Sequence, residues 1–411
     1  MNIPLSSPDI GDLEIEYVNR VLRSKHLSLG PMLAKFEEKF AAYAGTKYAI
    51  ACSSGTAALH MCVRALGLGS EAEVITSSFS FVASVNCLLY EAVFPRLLDI
   101  DPETLNLDPN RVREYLRHKC TRNCDGEVIS RESGRIVKAI LPVHVFGLPV
   151  DMQAIGEIAS EYGLAILEDA CEALGAECRG RRVGAFGNAA VFAFYPNKQM
   201  TTGEGGMIVT NDARIAESCK SLRNQGRHAD GRWLKHVCLG YNYRLSDMQA
   251  ALGLAQLERI DEILTQRAAV AQRYLELLRS EDSLALLETP SYAKRSWFVF
   301  VIRTTGPSAE EKRDALRAHL ADRGIASQIY FPPIHCQPYF KELGYLQTCD
   351  LSVTESVSKT CLAIPFSTRL SDAEIQFVAT SIREALSPGL SSILQPKTTQ
   401  VFSSPTYSAG D

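Results

Sequence analysis

The stretch VFAFYPNKQMTTGEGGMIVTND, residues 191–212, contains two short apolar runs joined by a glycine-rich connection. The bulky apolar residues of the first run are typical of a β-strand, Pro196 stops it, and Met207 begins a second strand. Lys198 is therefore expected in a connection flanked by two strands of the protein core.

A lysine in such a place is costly to bury unless its amine has a chemical role. Desolvation disfavours the ammonium form of Lys198 and frees a neutral amine that can form a Schiff base with an aldehyde. Pyridoxal 5'-phosphate is the aldehyde that we expect. The alternative, which this segment alone leaves open, is an ordinary lysine in a surface loop.

A pyridoxal phosphate site needs a carboxylate beside the pyridine nitrogen, because a protonated ring withdraws electrons from the reacting carbon. The run LAILEDACEALGA, residues 164–176, predicts a short buried strand with Glu168 and Asp169 at its carboxyl end, where open parallel sheets bind ligands. Asp169 is the candidate. The alternative is that Asp169 only caps a helix that follows it.

Phosphate binding favours a helix start with free backbone amides. In IACSSGTAALHMCVRALGLG, residues 50–69, the polar residues Ser54, Gly55 and Thr56 precede an apolar helical pattern that begins at Ala57. Gly55 permits close backbone approach and Thr56 offers a hydroxyl group. A serine or threonine before a helix is common, so this signal gains weight only beside the lysine and the aspartate.

Together these motifs resemble the DegT/DnrJ/StrS group of nucleotide-sugar aminotransferases. The resemblance runs from about Ile3 to about Leu386 and includes LSLGPMLAKFEEKFAAYAGTKYAIACSSGTAALH, LEDACEALGA, GEGG, GYNYRLSDMQAALGLAQLERID and YFPPIH. It implies an α/β fold like that of aspartate aminotransferase (PLP fold type I), with a mostly parallel sheet in a large domain and a smaller C-terminal α+β domain.

The resemblance also implies roles for single residues. Lys198 matches the Schiff-base lysine, Asp169 the partner of the pyridine nitrogen, and Gly55 with Thr56 the phosphate-binding turn. The implied reaction is a ping-pong transamination in which Lys198 moves a proton between the amino donor and the cofactor, and returns it in the second half-reaction. By resemblance the donor is L-glutamate and the acceptor a nucleotide-linked keto sugar.

Two further matches concern the cofactor ring and the neighbouring subunit. Phe81 falls where the family places an aromatic ring over the cofactor; the alternative is that Phe79 and Phe81 form one apolar face of a segment with a period of two. Asn242 matches an asparagine that the family contributes to the phosphate of the neighbouring subunit. That match implies a homodimer with shared active sites.

The sequence departs from the family pattern at Ala193, where a serine usually donates its hydroxyl group to the phosphate. We expect weaker cofactor binding unless Ser53 or Thr201 compensates. Glu172 stands where many members have glutamine, and it is also found in enzymes similar to perosamine synthases. A carboxylate beside the cofactor's phenolic oxygen must be protonated or paired. Glu172 points to a 4-keto-6-deoxyhexose substrate.

Other candidate residues have weaker support. His335, in IYFPPIH, lies in a family motif that approaches the sugar nucleotide, and a histidine bonded to a loop carbonyl is the alternative. For His144 a structural role is favoured. Arg223 and Arg244 are suited either to nucleotide phosphates or to a subunit interface.

Composition limits the class of protein. The formal net charge of −4 leaves no polybasic footprint for nucleic acid or an anionic membrane, and no apolar run is long enough for a membrane span. The twelve cysteines are scattered and follow no secretory leader, which favours reduced thiols in the cytoplasm. Cys120 and Cys124 lack two further zinc ligands, so no metal site is expected.

The predicted organisation has three parts. Residues 1–255 form a large cofactor-binding α/β domain with an N-terminal arm, residues 256–387 a small α+β domain, and residues 388–411 a disordered tail rich in serine, proline and threonine. Residues 117–135 are an insertion of unknown role. A protein that keeps the fold and cofactor but acts as a ligand-sensing regulator is the alternative function.

Overall fold

The computed structural model describes residues 2–228, 235–344 and 350–387. Its strands form one nine-stranded sheet and two three-stranded sheets. The predicted tail, residues 388–411, lies outside the described residues. The strands are β1 Tyr48–Cys52, β2 Ala72–Ser77, β3 Phe94–Leu98, β4 Cys120–Arg122, β5 Val128–Ser130, β6 Ile136–Ile140, β7 Ala165–Asp169, β8 Glu177–Cys178, β9 Arg181–Arg182, β10 Ala189–Ala193, β11 Gly206–Thr210, β12 Leu284–Leu286, β13 Ala293–Lys294, β14 Phe300–Thr304 and β15 Cys361–Ile364.

Helices cover both faces of the large sheet and one side of the small one. Short 3₁₀ turns occur at Val145–Gly147 and Ile334–Cys336. The helices are α1 Asp12–Ser24, α2 Pro31–Ala44, α3 Gly55–Ala65, α4 Ala83–Leu89, α5 Pro109–Lys119, α6 Met152–Tyr162, α7 Ala213–Arg223, α8 Asp247–Glu258, α9 Ile260–Leu278, α10 Ala309–Asp322, α11 Pro338–Glu342, α12 Ser352–Ser358 and α13 Asp372–Leu386.

The central sheet has the order β1-β11-β10-β7-β6-β2-β3, with the hairpin β4–β5 attached to β6. Strands β10, β7, β6, β2 and β3 are parallel, whereas β11 runs antiparallel to both of its neighbours. The carboxyl ends of β1, β7 and β10 consequently lie at the same edge. The predicted, mostly parallel α/β sheet is confirmed.

Alternation along the strands explains the two helical layers. In β10, Val191 faces the apolar cluster that includes α3 and α7, whereas Phe192 faces the cluster that includes α2 and α8. The same alternation places Ile208 and Met207 of β11 on opposite faces. Each strand therefore has apolar residues at successive positions because both of its faces are buried.

The smaller sheet β12–β14–β15 is antiparallel and packs on α9, α10 and α13. The helical pattern that starts at Ser246 forms two helices, α8 and α9, with a break at Arg259. The predicted domain boundary after residue 255 falls inside α8. Since Ile260 is buried in the large unit and Val270 in the small one, we propose that α9 joins the two domains.

Residues 117–135 form part of α5 and the hairpin β4–β5 at the side of the large sheet. A buried carboxylate, that of Glu73, accepts hydrogen bonds from Arg96 and Ser133, and it is also bonded to the Tyr115 hydroxyl group. Burying a carboxylate is tolerated when it is fully hydrogen-bonded. This network fixes the insertion to β2 and β3.

Two expectations from composition concern thiols and membranes. The cysteines in the described ranges have free thiols, most of them buried. In those ranges no helix is both long and apolar enough to span a bilayer.

Candidate functional site

The predicted lysine lies in the turn that follows β10. The Lys198 N–H group donates to the Tyr195 carbonyl, and Thr202 N–H donates to Phe194, so the connection folds back on the end of the strand. Gly206 follows at the start of β11, where a β-carbon would lie 2.4 Å from the Ser54 carbonyl oxygen. Glycine is required there because the chain passes so close to the start of α3.

The Lys198 amine lies in a partly enclosed space between two groups from different parts of the chain. Its Nζ atom is 3.6 Å from Glu172 Oε1 and 3.9 Å from the centroid of the Phe298 ring, and the side chain is 14% exposed. Phe298 precedes β14 of the small sheet. A cation above an aromatic face is favourable, so both contacts stabilise the ammonium form when it is present.

Glu172 is itself buried and accepts the Phe146 N–H group at 2.9 Å. Burial raises the pKa of the Glu172 carboxyl group, and the nearby Lys198 charge opposes this rise without cancelling it. The carboxyl group therefore takes up a proton more readily than an exposed glutamate. The sequence predicts that this carboxyl group is either protonated or paired, and its contact with Lys198 provides the pairing.

Asp169 is the last residue of β7, and turns rather than a helix follow it, so the helix-cap alternative is wrong. Its carboxylate accepts the Ser84 hydroxyl group at 2.8 Å and the Cys171 N–H group at 3.1 Å. Only 5% of the residue is exposed. Ser84, on α4, was not identified from the sequence because its contact with β7 arises only in the folded chain.

Helix α3 begins two residues earlier than predicted, at Gly55 rather than Ala57. Ser54 caps it by accepting the Ala57 N–H group. A β-carbon on Gly55 would lie 2.8 Å from the Ala193 β-carbon and 3.1 Å from Cys171 Sγ. The start of α3 thus touches the segment that carries Asp169.

Phe81 and Phe79 do not share one face. Phe79 is fully buried in the core, whereas Phe81 is 61% exposed and lies two residues before α4. The alternative that both rings form a single apolar face is therefore wrong. The Phe81 carbonyl accepts the hydroxyl group of Ser84, which also contacts Asp169, so the exposed ring lies close to the candidate site. A contact of the ring with the cofactor stays a prediction.

Ala193 faces the start of α3, and the proposed compensation by Thr201 is not seen. The Thr201 hydroxyl group donates to the Phe194 carbonyl and accepts the Gly203 N–H group, so it is used within its own turn. Ser53 N–H donates to the Tyr243 carbonyl. This places Ser53 next to the segment that contains Asn242.

Asn242 is exposed and lies in an extended segment that pairs with Asn224 through the backbone. Arg244 donates to the Asn224 side chain at 3.1 Å. Arg223 pairs with Glu37 and donates to the Ala51 carbonyl, while Glu37 accepts the Ala51 N–H group. The contacts of Arg223 are therefore internal to the subunit.

Both nitrogens of His335 are engaged. Nδ1 lies 2.7 Å from the Ser78 hydroxyl group, and Nε2 lies 3.1 Å from Glu355 Oε1. The bond expected to a loop carbonyl is replaced by bonds to these two side chains. A ligand-binding role of His335 stays a prediction. Among the described residues, the candidate ligand atoms of His335, Cys336 and Glu355 lie within 4.8 Å of one another, a spacing that could hold a metal ion.

His144 has a structural role, as favoured from the sequence. It is fully buried, its Nδ1 accepts the Val150 N–H group, and its Nε2 lies 3.3 Å from Glu168. Glu168 also accepts backbone N–H groups from the turn before β10. Of the two acidic residues at the end of β7, Glu168 thus binds His144 and the turn before β10, whereas Asp169 contacts Ser84 and Cys171.

The comparisons with known proteins agree with this geometry. Residues 8–383 match the DegT/DnrJ/EryC1/StrS aminotransferase family. The pleiotropic regulatory protein of Geobacillus stearothermophilus is 36% identical over 392 residues, which cover 93% of this chain and 98% of that protein. The GDP-perosamine synthase of Caulobacter vibrioides is 35% identical over 386 residues, with coverage of 93% and 98%.

Solved structures show the same fold. PseC of Helicobacter pylori, an aminotransferase involved in the biosynthesis of pseudoaminic acid, has a TM-score of 0.84 at 27% identity. The match covers 94% of this chain and 99% of that one.

Proposed function

The chain belongs to the DegT/DnrJ/EryC1/StrS family of pyridoxal-phosphate-dependent sugar aminotransferases, and from this premise we propose that it transfers an amino group from L-glutamate to a nucleotide-linked 4-keto-6-deoxyhexose. The product is an amino sugar for cell-surface polysaccharide or glycoside biosynthesis. Since this chemistry uses nucleotide-linked sugars, we expect the protein in the cytoplasm.

One observation carries the proposal. A partly buried lysine, a buried aspartate and the start of a helix lie at one edge of the sheet, and Cys171 joins the aspartate to the helix start. Cys171 N–H donates to Asp169, and its sulfur lies beside Gly55. An amine, a carboxylate and an anion-binding helix start are the three features that pyridoxal phosphate requires.

The residues fit this cofactor. Without a β-carbon at Gly55, the start of α3 packs directly against Ala193 and Cys171. The first backbone N–H groups of this helix are suited to bind a phosphate group. Gly55 and Thr56 would hold the phosphate, Asp169 the ring nitrogen, Glu172 the side of the phenolic oxygen, and Phe81 one face of the ring. When bound, the cofactor supplies an aldehyde carbon and an electron-withdrawing ring.

The protein's own part in the reaction is to hold and move a proton. Lys198 Nζ accepts a proton as a free amine, and its charge is then balanced by Glu172 at 3.6 Å and by the Phe298 ring. The same atom returns the proton in the second half-reaction. Burial of Asp169 and Glu172 excludes water from the groups that direct this transfer.

The substrate class rests on two observations. Glu172 stands at the position that suggested a perosamine-synthase-like enzyme, and a relative with 35% identity is named GDP-perosamine synthase. Neither fixes the nucleotide. We therefore propose the 4-keto-6-deoxy sugar as the acceptor, with His335 near the sugar nucleotide.

We infer a homodimer from the distribution of exposed apolar side chains. Phe81, Tyr195 and Leu239 are 61%, 52% and 76% exposed, and all lie on segments next to the proposed site or Asn242. Exposed large apolar side chains of this kind favour a protein interface. In the dimer, Asn242 of each subunit would contact the phosphate held by the other.

The test uses purified protein, pyridoxal phosphate and ¹⁵N-labelled L-glutamate with dTDP-, UDP- and GDP-linked 4-keto-6-deoxy sugars, and 3-keto sugars as comparators. Mass spectrometry should detect ¹⁵N in the product of a 4-keto sugar. The variant Lys198→Ala should bind the cofactor without a covalent link and make no product. Borohydride reduction followed by peptide mapping should place the adduct on Lys198.

A different result would favour the second candidate function. The relative that is 36% identical is named a pleiotropic regulatory protein, so a regulator with this fold is a defined alternative. Bound cofactor with no aminated product from any sugar, together with a Lys198→Ala variant that behaves as wild type, would favour the regulator.

A further inference from the structure

Two tyrosines flank Asn242 on the same side of the chain. The rings of Tyr241 and Tyr243 stack with centroids 4.8 Å apart and planes 14° apart. Side chains alternate along an extended segment, so Asn242 lies on the opposite side from the two rings. In agreement, Asn242 is exposed, whereas both tyrosines are partly buried.

A cluster of charged residues fixes the first tyrosine. The Tyr241 hydroxyl group donates to Glu91 Oε1 at 3.2 Å and accepts from Arg64 at 3.0 Å. His60 Nε2 lies 2.7 Å from the same Glu91 oxygen. Burial, together with the Glu91 charge, raises the pKa of Tyr241, so the hydroxyl group keeps its proton. We call His60, Arg64, Glu91, Tyr241 and Tyr243 the tyrosine anchor.

The anchor is also joined to the phosphate side of the site. His60 and Arg64 lie on α3, whose first residue is Gly55. His60 Nδ1 is 3.3 Å from the Tyr243 hydroxyl group, and the Tyr243 carbonyl accepts the Ser53 N–H group at 2.8 Å. One helix thus touches the proposed phosphate site at its start and holds the Asn242 segment further along.

We propose that the tyrosine anchor is a positioning device that holds Asn242 where it contacts the phosphate of the cofactor in the partner subunit. The inference rests on the proposed function, because it requires the shared site. The anchor residues touch neither cofactor nor substrate; they act through Asn242. Each α3 helix then supports two sites. Its first residues bind the phosphate in its own subunit, and its anchor residues position Asn242 for the site of the partner subunit.

The test is a double-mutant cycle on cofactor affinity. Tyr241→Phe keeps the stacked ring and removes the hydrogen bonds of the hydroxyl group to Arg64, Glu91 and His60. Asn242→Ala removes the group that the anchor positions. We expect Asn242→Ala to raise the pyridoxal phosphate Kd about tenfold and Tyr241→Phe about threefold. The double variant should bind no more weakly than Asn242→Ala alone, because Tyr241 acts through Asn242.

Equilibrium titration of the apoprotein by absorbance gives each Kd, and light scattering verifies that every variant is dimeric. Glu91→Gln is the second variant if Tyr241→Phe folds poorly. Tyr17→Phe is the matched control, since it also removes a tyrosine–glutamate bond, to Glu258, and its Kd should equal that of wild type.

Three outcomes contradict the inference. If Tyr241→Phe and Glu91→Gln both keep the wild-type Kd while Asn242→Ala binds the cofactor more weakly, the role of the anchor is wrong but the shared site still stands. A full additive loss in the double variant also overturns it, because the tyrosine then acts independently of Asn242. A wild-type Kd for Asn242→Ala overturns the shared site, and with it the premise of the anchor.

Discussion

Lys198 Nζ lies 3.6 Å from Glu172 Oε1, and the second oxygen of that carboxyl group accepts the Phe146 N–H group. The Glu172 side chain therefore links the Lys198 amine to the backbone after β6. Because burial raises the pKa of Glu172, its charge is costly unless Lys198 is protonated. The pair couples the proton on the lysine to the charge on the glutamate.

The variant Glu172→Gln should separate charge from hydrogen bonding. Glutamine keeps an oxygen for the Phe146 N–H group but cannot balance the Lys198 ammonium charge. We expect kcat to fall about tenfold, the size of one charge-assisted hydrogen bond, with little change in cofactor Kd. Steady-state kinetics measure kcat for both proteins. Glu71→Gln, which removes an exposed carboxylate paired with Lys138, is the control and should keep full activity.

Gly55→Ala should impair cofactor binding. The new methyl group would lie 2.8 Å from the Ala193 β-carbon and 3.1 Å from Cys171 Sγ, so the helix start must shift away from the phosphate site. We expect at least a tenfold rise in Kd, about the loss of one bond to the phosphate.

Gly156→Ala is the control for Gly55→Ala. Gly156 lies within α6, and a β-carbon there meets no atom within 4 Å. Gly156→Ala should leave cofactor Kd unchanged and raise the free energy of unfolding by about 0.5–1 kcal/mol. Equal Kd values for wild type and Gly55→Ala would show that the cofactor phosphate does not approach this helix.

Ala193→Ser should strengthen cofactor binding. Ala193 is the last residue of β10 and packs against the start of α3. The Thr201 hydroxyl group is hydrogen-bonded within its own turn. A serine hydroxyl group at residue 193 could donate to the phosphate, which we expect to lower Kd by up to about tenfold. Pyridoxal without its phosphate is the control ligand, and its affinity should not change. An equal gain for both ligands would contradict a phosphate contact.

Glu14→Gln should destabilise the protein in a pH-dependent way. Burial alone would raise the pKa of Glu14, but hydrogen bonds from Gln256, Gly11 and Arg259 outweigh it and lower the pKa below 4.5. A lowered folded-state pKa means that the carboxylate stabilises the fold above pH 4.5 and that this contribution is lost as pH falls.

Urea unfolding at several pH values measures the Glu14 effect. We expect Glu14→Gln to cost about 1–3 kcal/mol at neutral pH, with the difference from wild type shrinking below pH 4.5. Glu16→Gln, on the same helix but exposed, should change the free energy of unfolding by less than about 0.5 kcal/mol. A difference that is independent of pH would contradict the role of the Glu14 charge.

Local patterns predicted the parts of the site that depend on neighbouring residues in the chain. The strand before Lys198, the strand that ends at Asp169 and the capped start of α3 follow from apolar runs, turn residues and a serine cap. The predicted parallel sheet brings the three to one edge. The resemblance to the family is confirmed by the family match, whereas the roles that it implied for these residues stay predictions.

Contacts between distant segments could not be predicted in this way. Phe298 reaches Lys198 from the small sheet, and Ser84 reaches Asp169 from α4, and neither has a local pattern that marks it. The break at Arg259 was also missed, because no proline or glycine interrupts the helical period there. For Arg223, only the folded chain distinguishes an internal ion pair from a phosphate contact.

That internal pair has a consequence for solubility. Strand β1 is the last strand at one side of the large sheet, and the outward N–H and carbonyl groups of Ala51 are bonded to Glu37 and Arg223. Free edges of apolar strands recruit strands from other molecules and start aggregates. The ion pair occupies these backbone groups near the carboxyl end of the strand, so it protects the YAIAC strand from self-association.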